Sequence, residues 1–481
     1  VQHNHQQQGG FLMGHSNQGR FRQQVNFLRR QFLQDGDLPF TNVLSEQIVS
    51  QALTASKVVW NDSIYPPLVT LWVFLSQVLS ADHSCRAAVA RLITHRFSRG
   101  QSECSAETGA YCQARKRLPE KLFSDVAQKT GQALDENAQS DWLWKGRRVY
   151  LFDGSTVSMP DTPENQEAYP QHDSQKPGLG FPLARIAAIF SLSCGAIIDL
   201  GICRYAGKGQ GEISVFRTLW NFFRPGDVVL TDRLMCTWRE LLTLQQRGVD
   251  SVSQLQAMRK ADFRRGQRLG KEDHIVQWPR PLIRSLSWQT QKMLSEFLTV
   301  RECRIRIEQA GFRSKVIIVV TTLLDAREFT KEDLGALYRA RWNVELDLRS
   351  VKQTLQMDIL RCKTPELVRK EIWTHVLVYN LIRTIMAQAA SKHDIQPRTI
   401  SFKGALQFPE EFQRLIDYQE HRGCAFRMIL YQQLLDCIAC HRVADRPDRF
   451  EPRLLKRRPK HYAFLRKPRH VIKSKMAKGV R

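Results

Sequence analysis

Acidic residues are scarce in this sequence relative to basic ones: 47 Asp and Glu stand against 72 Lys and Arg, which leaves a net charge of +25 and a pI near 9.9. That imbalance exceeds what solubility requires and points to a polyanionic partner. Long uncharged apolar runs are lacking as well. The most apolar window, Phe181 to Tyr205, contains Arg185 and Asp199 and breaks at Ser193 to Gly195, so it reads as two strands joined by a turn and not as a membrane span. No charged-then-apolar leader opens the sequence, which starts VQHNHQQQGG, and the expectation is a cytoplasmic protein without membrane contact. Paired cysteine spacings are absent too. Eleven cysteines, an odd number, are scattered along the chain, which excludes a disulfide framework and fits reduced thiols. Cys437 to His441, CIACH, matches a haem-attachment pattern, but that chemistry requires export and the segment continues a helical pattern, so haem and zinc are set aside.

What is present is a chain of 481 residues, 42% hydrophobic, long enough for two to four domains with substantial cores. Residues 1–40 are polar and low in complexity and are expected to have little order. Residues 41–144 are helical throughout. There CSAETGAYCQARKRLP predicts a short helix, capped by Ser105 or Thr108, that carries Arg115, Lys116 and Arg117; the three suit either DNA contact or a solvated basic face.

The pattern changes at Lys145. RRVYLFDGSTVSM, ARIAAIFSL and GAIIDLGICRY read as three successive strands, followed by a helix at ISVFRTLWNFF, a strand at DVVLTD, a helix at TWRELLTLQQRG and a strand at VDSVSQL. That order is the order of a ribonuclease-H-like core, an α/β fold. A basic, strand-rich block at about 256–330 reads as a β insertion before the last helix of that core, and the catalytic domain is expected over 145–395. A helical region at 396–452 and a basic tail at 453–481 complete the chain. The tail holds twelve Lys or Arg and no Asp or Glu, and suits phosphate contact or simple solubilisation. Tyr462 and Phe464 within it favour contact.

Asp153, in LFDGS, and Asp232, in VVLTDR, each end a buried strand, where side chains face the crevice of an α/β sheet. In YRARWNVELDLRSVK, at about 100° per residue from Tyr338, the residues Arg341, Glu345, Arg349 and Lys352 fall between about −60° and +20°. They form a polar stripe along the edge of an apolar one made by Leu337, Val344, Leu348, Val351 and Leu355. The stripe has two readings: an i,i+4 ion-pair network, or a third carboxylate with phosphate-holding cations beside it. A third carboxylate meeting Asp153 and Asp232 would need cations to stay ionised, and hard oxygen ligands select Mg²⁺, with Mn²⁺ able to substitute. Asp161, Asp173, Asp199 and Asp227 lie near the same strands but in loop or turn contexts, and Asp347 is directed away from the stripe. Ser155 and Thr156 have no histidine in a triad-like context and read as supporting hydroxyls.

Asp153, Asp232 and Glu345, with Tyr338, Arg341 and Lys352 at the spacing Y-x2-R-x3-E-x6-K, resemble the DDE transposases of the insertion-sequence-4 family. LFDGSTVSMPDT, GFPLARI and DVVLTDRLM resemble the family's surroundings of the first two aspartates, and the long interval from Asp232 to Glu345 matches its habit of a β insertion there. The resemblance covers about Lys145 to Ala390, with SADHSCRAAVARL and ETGAYCQARKRLP similar to N-terminal regions of the group. It implies a cut-and-paste transposase, nucleoid-associated, that binds terminal inverted repeats and target DNA. It would work as a homodimer or larger synaptic complex and cleave with Mg²⁺ by hydrolysis and then hairpin formation. Asp153, Asp232 and Glu345 would be the catalytic metal ligands and Tyr338, Arg341 and Lys352 would contact DNA. A tryptophan of the insertion, Trp278 or Trp288, would hold a flipped base, or either ring belongs to the core of the β block. Two other functions fit the same residues: a metal-dependent nuclease that never rejoins ends, and an inactive DNA-binding relative.

Overall fold

The computed structural model describes residues 15–34, 38–58, 63–283, 287–307, 315–419, 422–443 and 464–477, and the chain divides into two compact units. One unit comprises residues 1–137 with 366–441, the other 138–365 with 442–481.

The first unit is helical. His15–Arg30 forms a helix within the stretch expected to have little order, because Phe21, Val25 and Leu28 recur at i, i+4 and i+7 and are buried. The other N-terminal helices are Glu46–Ala55, Pro67–Leu79, Cys85–Ser98, Gly109–Arg117 and Glu120–Glu136. They share this unit with the 28-residue helix Pro365–Lys392, whose side chains from Val368 to Ala390 are almost all buried. A helix buried on every side needs neighbours all round it, and partners for its buried polar groups. Here Asn380 Nδ2 donates to the Ala127 carbonyl at 3.1 Å, Arg369 pairs with Glu120 at 2.7 Å, and Gln388 Nε2 donates to the Leu33 carbonyl at 2.9 Å. The compact unit that holds this helix is the one that holds the N-terminal helices. Phe402–Tyr418 and Gly423–Cys440 complete the unit.

The second unit is built on one nine-stranded sheet. Its strands are β1 (Val149–Ser158), β2 (Leu183–Ser191), β3 (Ile197–Arg204), β4 (Val228–Thr231), β5 (Asp250–Gln254), β6 (Gln267–Gly270), β7 (Asp273–Pro279), β8 (Phe297–Ile307) and β9 (Lys315–Thr321). The sheet order is β3-β2-β1-β4-β5-β9-β8-β7-β6. The first three strands form an antiparallel meander, β4 and β5 add in parallel to β1, and β9 onward is antiparallel again. Parallel neighbours need crossovers, and Glu212–Leu219 and Trp238–Gln246 supply the helices between β3 and β4 and between β4 and β5. The strand-rich block at about 256–330 therefore extends the same sheet beyond β5. The turn expected at Ala310 and Gly311 lies outside the described residues.

A capping box at Thr330 and Asp333 starts the helix Lys331–Ala340. Trp342–Arg349 follows, then a π-helical turn at Ser350–Thr354, with Leu355 N–H bonding the Ser350 carbonyl at 3.0 Å. The chain then returns to β1: Ser158 N–H donates to the Asp358 carbonyl and Leu360 N–H to that of Ser158. In the described part of the tail, Arg469–Ala477 is helical.

Candidate active site

Adjacent parallel strands bring the two aspartates level. Val149, Tyr150 and Leu151 on β1 pair with Val228, Val229 and Leu230 on β4. Carried two residues further, the same register sets Asp153 across from Asp232. The carboxylate of Asp153 accepts the Gly154 amide at 2.8 Å, and that of Asp232 accepts the Leu234 amide at 2.8 Å in the turn that ends β4. Burial pushes the Asp153 carboxyl up to about 6; the Gly154 amide and the Arg341 guanidinium oppose the rise, and the charges of Asp232 and Glu212 add to it.

Glu345 reaches this group through Arg341. The guanidinium of Arg341 lies 2.9 Å from Glu345 Oε1 and 3.9 Å from Asp153 Oδ2. The i,i+4 ion pair thus also reaches the first aspartate, with Arg341 as the cation between two acids. Leu337, Val344, Leu348, Val351 and Leu355 are all buried, as the apolar stripe required. Asp347, the rival acid, is fully buried.

The straight helix assumed for the polar stripe is not what forms. The helical run breaks at Arg341 and widens at Ser350–Thr354. An extra residue in the last turn changes the direction of everything after it. Lys352 Nζ donates to Ser155 Oγ on β1 at 2.8 Å, and burial lowers the pKa of this ammonium. Tyr338 is buried, its hydroxyl 3.4 Å from Gln254 Oε1 at the end of β5, and burial pushes that hydroxyl up to about 12. The Arg341 guanidinium and the Asp232 charge also act on this hydroxyl, which sets Tyr338 beside the same group.

Trp278, for which base stacking and a place in the core of the β block were both open, is 4% exposed in a cluster with Trp238, Leu298 and Val320. Its Nε1 donates to Glu302 Oε1 at 2.8 Å and the Arg259 guanidinium lies 4.0 Å from its ring centroid. A ring enclosed on both faces cannot receive a base, so in this arrangement Trp278 is a core residue. Trp288 starts the short helix Trp288–Met293, and its side chain lies outside the described residues.

In the helical unit, Arg115 is buried. Tyr111, Ala114, Arg115 and Leu118 form the buried face of Gly109–Arg117. Arg115 Nη1 donates to Gln77 Oε1 at 3.0 Å, and its guanidinium lies 4.8 and 4.5 Å from the ring centroids of Phe74 and Tyr111. Lys116 and Arg117 remain exposed. The buried ammonium of Lys370 donates to the carbonyls of Arg115 and Lys116 and so caps this helix.

Two residues near Asp153 escaped the sequence reading, Glu212 and Arg185, paired at 2.8 Å. The one available signal was an acidic residue opening a helix after the glycine-rich KGQG. As donors, Asp153, Asp232 and Glu345 offer oxygen alone, the set a hard divalent cation prefers, and a buried carboxyl held partly protonated beside other acids is one that such a cation would discharge. Among the described residues no three His, Cys, Asp or Glu side chains are gathered closely enough to hold a metal ion.

The family of transposase DDE domains matches residues 144–381. The chain is 28% identical over 386 residues to the transposase InsG of insertion sequence element IS4 from Escherichia coli strain K12, covering 73% of this chain and 77% of that protein. It is 33% identical over 82 residues to the putative transposase InsL of element IS186A from the same strain, 17% of this chain and 21% of the relative. Among solved structures, the piggyBac transposase synaptic complex with hairpin DNA overlaps 86% of this chain and 85% of its own at 7% identity, with a TM-score of 0.42.

Proposed function

We infer that this chain, which belongs to the DDE transposases of the insertion-sequence-4 family, binds the terminal inverted repeats of its element. There it would cut DNA by metal-dependent phosphoryl transfer and join the freed ends to a target, through a hairpin intermediate. The observation that carries this reading is the common register of Asp153 and Asp232, with Arg341 between Asp153 and Glu345. The sheet order β3-β2-β1-β4-β5, antiparallel then parallel, supports a ribonuclease-H-like core for β1–β5, with β6–β9 as the insertion.

Asp153, Asp232 and Glu345 would hold Mg²⁺ or Mn²⁺. Bound there, a hard divalent cation neutralises the carboxylates and supplies Lewis acidity at the phosphate being cut. The chain's own groups do the rest. Arg341 holds Asp153 and Glu345 together and would exchange one carboxylate for a phosphate oxygen as DNA arrives. Lys352, anchored on Ser155, would add a second cation along the scissile backbone. Lys116, Arg117 and the basic tail would supply contacts to phosphate that read no sequence, in keeping with the net charge of +25. The synaptic complex would contain two or more copies of the chain.

The test is incubation of the purified protein and its Asp153→Ala, Asp232→Ala and Glu345→Ala variants with Mg²⁺ and DNA carrying the element's own ends. Cleaved and joined products are expected from the wild type, and end binding without cleavage from each variant. Cleavage without joining would make the chain a nuclease, and wild-type cleavage by any variant would remove that residue from the site.

A further inference from the structure

Gly154 follows Asp153 on β1, and strand alternation turns the two toward opposite faces of the sheet. On the front, Asp153 and Ser155 meet Arg341 and Lys352. On the back, Phe152 packs against Phe216 of the Glu212–Leu219 helix in a tilted contact, with ring centroids 4.5 Å apart. Glu212 opens that helix and lies directly over Gly154: a Cβ at position 154 would sit 2.7 Å from its Cγ and Cδ and 2.8 Å from Oε1. Gly201 on β3 admits the same helix, since a Cβ there would come within 2.3 Å of Val215 Cγ1. Both strands therefore need glycine where the helix presses on the sheet.

The Glu212 side chain is held in place. Arg185, opposite Thr156 in the β1–β2 register, brings Nη1 to 2.8 Å from Glu212 Oε1. Its Nη2 donates to the Tyr205 carbonyl at 3.1 Å, and the guanidinium lies 5.1 Å from the Tyr205 ring centroid. The Gly154 backbone lies between Glu212 and the front of the sheet, and the amide of Gly154 donates to Asp153 Oδ1 at 2.8 Å.

We propose that Glu212 is a positioning residue for Asp153: seated on Gly154 and locked by Arg185, its side chain braces the middle of β1 from behind and so aims the Gly154 amide at the Asp153 carboxylate. The proposal rests on the reading of Asp153 as a triad carboxylate. Any side chain at position 154 would displace Glu212, and loss of the Arg185 pair would free it, with the same consequence on the opposite face. A misplacement of that kind can cost on the order of 100-fold in rate without touching a reacting atom.

The test uses the full chain with element-end DNA and Mn²⁺, in the variants Glu212→Gln, Glu212→Ala, Gly154→Ala and the double Gly154→Ala/Glu212→Ala. Glu212→Gln, of nearly unchanged volume, is expected to keep the wild-type melting temperature and end affinity while cleavage at saturating Mn²⁺ falls about tenfold or more. Mn²⁺ binding to the DNA-free protein, read by paramagnetic resonance, should weaken in parallel. Gly154→Ala should show the same loss, and the double variant should be no worse than Glu212→Ala alone, because the clash has been removed with the brace. Wild-type rate and Mn²⁺ binding in Glu212→Gln would overturn the proposal, as would losses that multiply in the double variant. Should Glu212→Ala fail to fold, Glu212→Gln decides. Asp153→Ala separates the two readings: normal cleavage by that variant removes the triad itself, whereas its loss beside a normal Glu212→Gln removes only the brace.

Discussion

Lys352 Nζ donates a hydrogen bond of 2.8 Å to Ser155 Oγ, across 197 residues of chain, and so ties the π-helical turn to the strand that carries Asp153. The lysine is half-buried and anchored before any DNA arrives, a pre-organised cation and not a mobile one.

Arg341→Ala and Lys352→Ala are each expected to slow cleavage and to lower the slope of log affinity against log salt by roughly 0.9 per lost phosphate contact. Binding titrations at several salt concentrations measure the slope, and single-turnover cleavage the rate. If both stay at wild-type values, the two side chains serve only the helix and the strand they already touch.

Trp278→Ala should act on stability. Removal of a ring packed among Trp238, Leu298 and Val320, and of its bond to Glu302, is expected to cost about 3 to 5 kcal/mol. Denaturant unfolding checks the size of the loss. A Trp278→Ala protein of normal stability that nicks DNA but makes no hairpin would show that the ring leaves the core to stack on a base.

Asp153 links the site to pH. Its carboxyl titrates near 6, above the ordinary 3.8, because burial disfavours the charged form. The folded state therefore binds the proton more tightly than the unfolded chain does, and the metal-free protein loses stability as pH rises from about 4 through about 6. Asp153→Asn lacks that charge. Its metal-free melting temperature should equal or exceed the wild-type value at pH 7.5, and the gap should close as pH falls below 6. A gap that widens on acidification would contradict the raised pKa.

Truncation after Pro452 removes the twelve cations of the tail. Affinity for element ends and for unrelated DNA should fall together, since point charges on phosphate carry no sequence information. Gel-shift titrations with both DNAs check this; a loss confined to the element ends would assign the tail a role in recognition.

What the sequence determined by itself was local and periodic. The β-α alternation from β1 to β5, the turn inside Phe181 to Tyr205 and the buried stripe from Leu337 to Leu355 follow from side-chain spacing, which the backbone repeat reads directly. The same logic put Asp232 at a strand end, whereas Asp153, expected at one too, lies in the middle of β1, which runs on to Ser158. Only the tertiary structure decided which partners cover each face. Spacing marks a face as buried without saying what lies across from it, so Arg115 in a basic run and Trp278 beside a proline looked exposed until Gln77 and Glu302 were found opposite them. The helix at Pro365–Lys392 is buried on every side, and its grouping with the N-terminal helices came from contacts more than 200 residues away in sequence, such as those to Glu120 and Ala127. The direction of Lys352 depended on a π-helical turn that a fixed 100° repeat cannot contain. The level register of the two aspartates and the seat of Glu212 on Gly154 arose in the same way, from strand pairing and helix packing between segments that carry no local sign of each other.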